Sequence, residues 1–158
     1  MATRAGLIGL VDQLIDLFNR RSLDLPDGLF TRHTQFLLNG VAFEEMLGRP
    51  RSDPLALMLA RGPAGYRFTA QAVQHAVPDA HLQRGELAET ARDGANVVVA
   101  QCWLSGRLRG SGDPIETVVE VTLRFRGDTV DQAAAVIDAA ALDYRSPAHS
   151  EATCALAV

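Results

Sequence analysis

From Gly6 to Arg21 the apolar residues Leu7, Leu10, Val11, Leu14, Ile15 and Phe18 recur at intervals of three and four, the spacing of one buried stripe on an amphipathic helix. The run Leu25-Pro26-Asp27-Gly28 ends that period, and His33 to Phe43 reads as a short β-rich run, one strand after the helix, that contains the turn signal Asn39-Gly40. Ser52-Asp53-Pro54 predicts a second helix, with Ser52 as N-cap, Pro54 in the first turn, Leu55 to Ala60 as its body and Gly62-Pro63-Ala64-Gly65 as its end. Phe68 to Val77 fits both periods, and its alanines and Val73 favour a third helix, stopped by Pro78-Asp79.

Beyond Asp79 the period becomes two. Strands are predicted at His81 to Thr90, Asn96 to Leu108, Ile115 to Arg126 and Thr129 to Asp138, separated by turn signals at Asp93-Gly94, Gly110 to Pro114 and Gly127-Asp128. Helices first and antiparallel strands after them make an α+β pattern in which helices cover one face of a curved sheet. A chain of 158 residues that is 47% hydrophobic suits one domain with a sizeable core. No internal repeat is visible, and the tail from Asp143 reads as a loose extension.

Charge narrows the chemistry. A net charge of −4 offers no basic field for nucleic acid or a membrane surface. All the basic residues are arginine, which removes Schiff-base, general-base and phosphate-loop lysines from consideration. Cys102 and Cys154 suggest no disulfide framework, and His33, His75, His81 and His149 stand without metal-ligand spacing, so neither a metal nor a cofactor is expected. The N-terminal apolar run is interrupted by Asp12 and Asp16, so it reads as neither signal peptide nor membrane span, and a cytoplasmic location is expected.

The order of elements resembles the nuclear-transport-factor-2-like superfamily, and within it the polyketide-cyclase (SnoaL-like) and ketosteroid-isomerase-like branches. The resemblance rests on the first helix ending at Phe18-Asn19, on Leu47-Gly48-Arg49-Pro50 before a helix and on Val77-Pro78-Asp79 before a strand. It rests also on Leu104-Ser105-Gly106, on Leu123-Arg124-Phe125-Arg126-Gly127-Asp128 and on Val136-Ile137-Asp138. It runs from Leu7 to Leu142, which makes positions 1–142 one domain and 143–158 a C-terminal extension. It implies a cone-shaped, strongly curved antiparallel sheet packed against N-terminal helices around an internal cavity, often in a homodimer formed through the sheet face.

Carried onto this chain, the family's inward face selects Val98, Ala100 and Cys102, then Val119, Val121 and Leu123, then Asp131, Ala133, Ala135 and Ile137. The isomerase branch's tyrosine, base and second acid fall on Leu14, Leu38 and Val121, and the polar positions of the cyclase branch fall on Ala133 and Ala135. The resemblance therefore implies an apolar pocket, and Leu14, Phe18, Leu38, Tyr66, Ala100, Cys102, Val121, Leu123, Ala133, Ala135 and Ile137 are its expected ligand-binding residues.

Two residues are candidates for acid/base work: His33 at the cavity mouth, against a solvated strand end, and Asp131 as the carboxylate of the inward face, against a turn-proximal aspartate in water. Cys102 is a nucleophile only if a base stands beside it, and is otherwise a small buried hydrophobe. Tyr66 and Trp103 can stack on a planar ligand or fill a subunit interface, and alternation assigns Trp103 to the interface. Glu120 reads as an exposed ladder residue or a cross-strand partner of Arg107, and Asp138 as structural. The functions to be separated are a cofactor-independent enzyme (cyclase, isomerase, dehydratase or epoxide hydrolase) acting on a hydrophobic metabolite, and a non-catalytic ligand-binding or dimeric accessory module.

Overall fold

The computed structural model describes residues 4–46, 48, 54, 58 and 60–137. The first helix, α1 (Arg4–Asn19), buries Leu7, Val11, Leu17 and Phe18. It ends where Arg21 takes a left-handed conformation (φ 57°), with the Arg21 amide donating to the Phe18 carbonyl and the Ser22 amide to that of Leu17. These paired bonds satisfy carbonyls that the helix leaves open. Asn19 then acts as one more rung of sheet, its amide donating to the Leu82 carbonyl at 2.9 Å and its oxygen accepting from the Leu82 amide at 2.8 Å.

Strand β1 (Phe30–Leu38) turns at Asn39-Gly40 (φ 49° and 81°) into β2 (Val41–Ala42). Two consecutive positive φ angles match the twist of a two-residue hairpin, as the dipeptide predicts. The one-turn helix α2 (Phe43–Met46) follows. Pro54, Met58 and Ala60 are helical, while Leu47, Arg49, Pro50, Ser52, Asp53 and Leu55, with the proposed N-cap among them, lie outside the described residues.

Helix α3 (Pro63–Ala76) starts earlier than the sequence suggests. Gly62-Pro63-Ala64-Gly65 reads as a terminator, yet Pro63 to Gly65 form the first turn of the next helix. Proline is tolerated there because the first amides of a helix lack partners in any case. Gly62 takes φ 65°, and its amide donates to the Thr34 carbonyl at 3.0 Å. Gly65 is required by close approach, because a Cβ there would stand 2.6 Å from the Ala60 carbonyl oxygen and collide with the Phe36 ring. Pro78-Asp79 ends α3 as expected.

Strands β3 (His81–Arg92), β4 (Ala95–Arg107), β5 (Pro114–Arg126) and β6 (Thr129–Ile137) follow the predicted boundaries within two residues. The sheet order is β2-β1-β6-β5-β4-β3. The expected antiparallel pairing holds except between β1 and β6, which run parallel. The helices between them carry the chain across the sheet, as a parallel pairing demands. The result is an open, mixed six-stranded sheet in an α+β, cone-like arrangement, whose core joins α1 and α3 to one face. Residues 138–158, including Asp138, His149, Cys154 and the expected extension from Asp143, lie outside the described residues.

Candidate functional site

The covered face of the sheet follows the predicted alternation. Val98 stands opposite Leu123, Ala100 opposite Val121 and Cys102 opposite Val119 on β4 and β5, and β6 adds Ile137, Ala135 and Ala133 opposite Val119, Val121 and Leu123. Helices α1 and α3 close over these residues and leave a cavity of about 160 Å³. Leu14, Phe18, Leu38, Tyr66, Cys102, Val121, Leu123, Ala133, Ala135 and Ile137 all line it. Ala100 does not: it is buried in the core beside Val121.

Sequence reasoning missed Val11, Ile15, Phe30, Phe36, Ala70 and Val73, which also line the cavity. For the helical residues the missing signal is the rotation of each helix about its own axis, which tertiary packing sets. A row of rings braces one wall: Tyr66 stacks on Phe30 with centroids 6.3 Å apart, Phe30 meets Phe36 edge-on at 5.4 Å, Phe36 stacks on Phe43 at 5.9 Å, and Phe43 tilts against Phe68 at 5.3 Å. Such contacts fix ring orientation as well as burying area.

The polar side chains of the described lining are those of Tyr66, Thr69 and Cys102. The Thr69 hydroxyl donates back to the Gly65 carbonyl at 2.8 Å. The Tyr66 hydroxyl is shielded from solvent and has no hydrogen-bond partner among the described residues, and burial pushes its pKa up. Burial likewise raises the Cys102 thiol; the Arg84 charge opposes the shift and that of Asp12 adds to it. A thiol held protonated among apolar neighbours is a hydrophobe, in line with the simpler expectation for it.

His33 and Asp131 stand apart from the lining. His33 is exposed in an irregular stretch of β1, where the register passes from Phe30 opposite Val130 to Gln35 opposite Gln132. Its Nε2 accepts from the Arg32 Nε at 3.2 Å. Asp131 occupies a bulge, since Arg124 pairs with Gln132 and Phe125 with Val130, so one residue is left over. The extra residue reverses the alternation. Val130, fully buried, takes the inward place, and the expected inward position of Asp131 is corrected. Its carboxylate instead accepts from Arg124 Nε at 2.6 Å and Arg126 Nε at 2.5 Å. Burial alone would raise its pKa, but hydrogen bonds from the two arginines, with their charges, outweigh that and lower it.

Other charges are also committed elsewhere. Arg107 stands opposite Pro114 and donates to the Gly112 carbonyl, while Glu120 lies between Gln101 and Val136, so the cross-strand pair expected of them does not form. The buried Glu44 accepts from Arg61 Nε at 2.5 Å and does not line the cavity. Among the described residues no three of His, Cys, Asp and Glu gather in a way that could hold a metal ion, and no helix is long and apolar enough to cross a membrane.

The overall fold is shared with a set of solved structures. The fold is that of the nuclear-transport-factor-2-like superfamily. The hexachlorocyclohexane dehydrochlorinase LinA-type3 of Novosphingobium barchaimii superposes with a TM-score of 0.65 over 85% of this chain and 86% of its own, at 12% identity. IdmH of Streptomyces antibioticus, a candidate polyketide cyclase, gives 0.59 over 83% and 91%, at 16% identity. A SnoaL-like candidate polyketide cyclase from a Jannaschia species gives 0.57 over 83% and 84%, at 14% identity. No family model matches the chain, and no curated protein matches it by sequence.

Proposed function

We propose that this nuclear-transport-factor-2-like chain is a small-molecule-binding protein whose cavity takes a compact, uncharged, hydrophobic ligand. The observation that carries this reading is the lining itself: aliphatic and aromatic side chains, with no carboxylate or imidazole among the described residues. A charged group entering such a lining would lose its hydration with nothing to replace it. Size argues in the same direction, because an apolar cavity of about 150 Å³ holds one benzene ring, and this one is about 160 Å³. Mass spectrometry of molecules released by denaturing the purified chain tests the reading. It predicts a one-ring or similarly compact neutral compound in stoichiometric amount; release of a charged or polycyclic compound contradicts it.

A second reading, conversion of the bound molecule, is favoured by the fold neighbours, among them a dehydrochlorinase and candidate cyclases. In such a lining the reaction would be driven by holding the substrate in a reactive shape. With the outward-facing Asp131 set aside, His33 remains as the acid/base candidate at the mouth, and His33→Ala then lowers turnover while ligand still binds. Unchanged turnover removes that role. The outer sheet face carries Trp103, Val118 and Val136, which are 49%, 38% and 52% exposed. Trp103 and Val118 are direct cross-strand partners. A second copy of the chain covering this strip would form a homodimer, and Trp103→Ala then delays elution in gel filtration at low concentration. An unshifted profile across the dilution series rules the strip out as the interface.

A further inference from the structure

The cavity lining is not uniformly apolar in kind. The chain has six Phe, two Tyr and one Trp, and four of these rings, those of Phe18, Phe30, Phe36 and Tyr66, border the cavity. Three of the four are consecutive in the row that runs from Tyr66 through Phe30 and Phe36 to Phe43 and Phe68, and the last two rings stand outside the lining. Phe36 is the middle of that row. Phe30 meets it edge-on at 5.4 Å, Phe43 stacks on it at 5.9 Å, and a Cβ at Gly65 would collide with it. A ring held in this way keeps one orientation before any ligand arrives, which lowers the cost of binding.

The floor beside Phe36 is low. Across the β1 and β6 pair Phe36 stands opposite Ala133 and Leu38 opposite Ala135, and on the other side of β6 these alanines meet Leu123 and Val121. Both alanines line the cavity. Methyl groups flanked by larger side chains make a trough along β6, with the Phe36 ring on one bank. Aliphatic side chains in place of the rings would exclude water equally well, so hydrophobic burial does not account for a wall of rings.

We infer that the ligand of this cavity is a neutral single-ring arene and that Phe36 is the residue that selects it, its ring packed against the ligand's ring over Ala133 and Ala135. This rests on the small-molecule-binding reading above and names the ligand class within it. An arene and a saturated ring of equal size remove similar apolar area from water, so desolvation separates them little. Ring pairs add an attraction between the negative face of one ring and the positive edge of the other, which a saturated ring lacks. Phe30 and Phe36 lie at 61° to one another, so the wall presents ring surfaces in two orientations.

The test titrates the full chain and its Phe36→Leu variant with anisole and with methoxycyclohexane, which carry the same methoxy group on an aromatic and on a saturated ring, following methyl resonances by NMR. Truncating the wall removes packing from both ligands, so the readout is the difference between them. The expected result is that Phe36→Leu weakens anisole about 2- to 10-fold more than methoxycyclohexane, the range of one aromatic pair. Equal losses, or a larger loss for methoxycyclohexane, overturn the selection by Phe36 and leave the binding reading intact. Failure of both ligands to bind the wild-type chain overturns the two together. A second measurement does not depend on the variant folding: in the wild-type complex, nuclear Overhauser effects should connect the anisole ring protons to the ring protons of Phe36. Effects from anisole to the Val121 and Leu123 methyls with none to Phe36 overturn the inference.

Discussion

One strand separates two environments. Along β5 the side chains of Val119, Val121 and Leu123 face the helices and the cavity, while those between and beside them, Val118, Glu120, Thr122 and Arg124, belong to the face that α1 and α3 leave uncovered. The covered side offers shape and apolar area. The uncovered side holds the Arg124–Asp131–Arg126 cluster and the exposed strip of Trp103, Val118 and Val136. Where charge can stay solvated the fold uses it, and where a ligand would sit it avoids it. The proposed selection inside rests on size and desolvation, and the exposed strip outside is the proposed contact between copies of the chain.

The sharpest way to break the comparison is to truncate neighbouring residues on that strand. Leu123→Ala removes a buried side chain against Ala133 and Val98 and should cost about 2–5 kcal/mol in a denaturant titration. Thr122→Ala, one residue away on the other face, should change stability by less than about 0.5 kcal/mol. Comparable losses would mean that the two faces do not differ as described.

A smaller effect is expected at the outer ion cluster. Asp131→Asn should lower stability at neutral pH by up to about 1 kcal/mol, because both arginines are more than a third exposed and water screens the pairs. The folded carboxylate has a lowered pKa, so its contribution is complete above the unfolded value of about 3.9 and fades as pH falls through the folded one. The two proteins should therefore converge in acid. A difference that persists unchanged below both pKa values would assign the effect to something other than charge.

Much of this was legible from local pattern. The stripe of α1, the Asn39-Gly40 hairpin and the four long strands depend on residue spacing and turn chemistry that neighbours in sequence determine. The failures have non-local causes. Alternation counted back from Ile137 assigns Asp131 inward, and a bulge created by pairing with β5 moves it out. Gly62-Pro63-Ala64-Gly65 reads as a breaker, since nothing nearby reveals that Gly65 must let Phe36 approach. Tyr66 was visible as a lining residue, but not as a hydroxyl that finds no partner among the described residues, because that depends on everything packed around it.

The central claim is that the space between α1, α3 and the sheet is a binding site. Ala135 lines it from β6 opposite Val121, so Ala135→Leu fills part of the space without adding a polar group. Titration of wild-type and Ala135→Leu chains with cyclohexanone, followed by methyl NMR, tests the claim directly. The account predicts saturable shifts confined to the lining residues in the wild-type protein and at least about a ten-fold loss of affinity in the variant, the equivalent of about 1.4 kcal/mol. Absence of saturable shifts, or equal binding by both proteins, would contradict it.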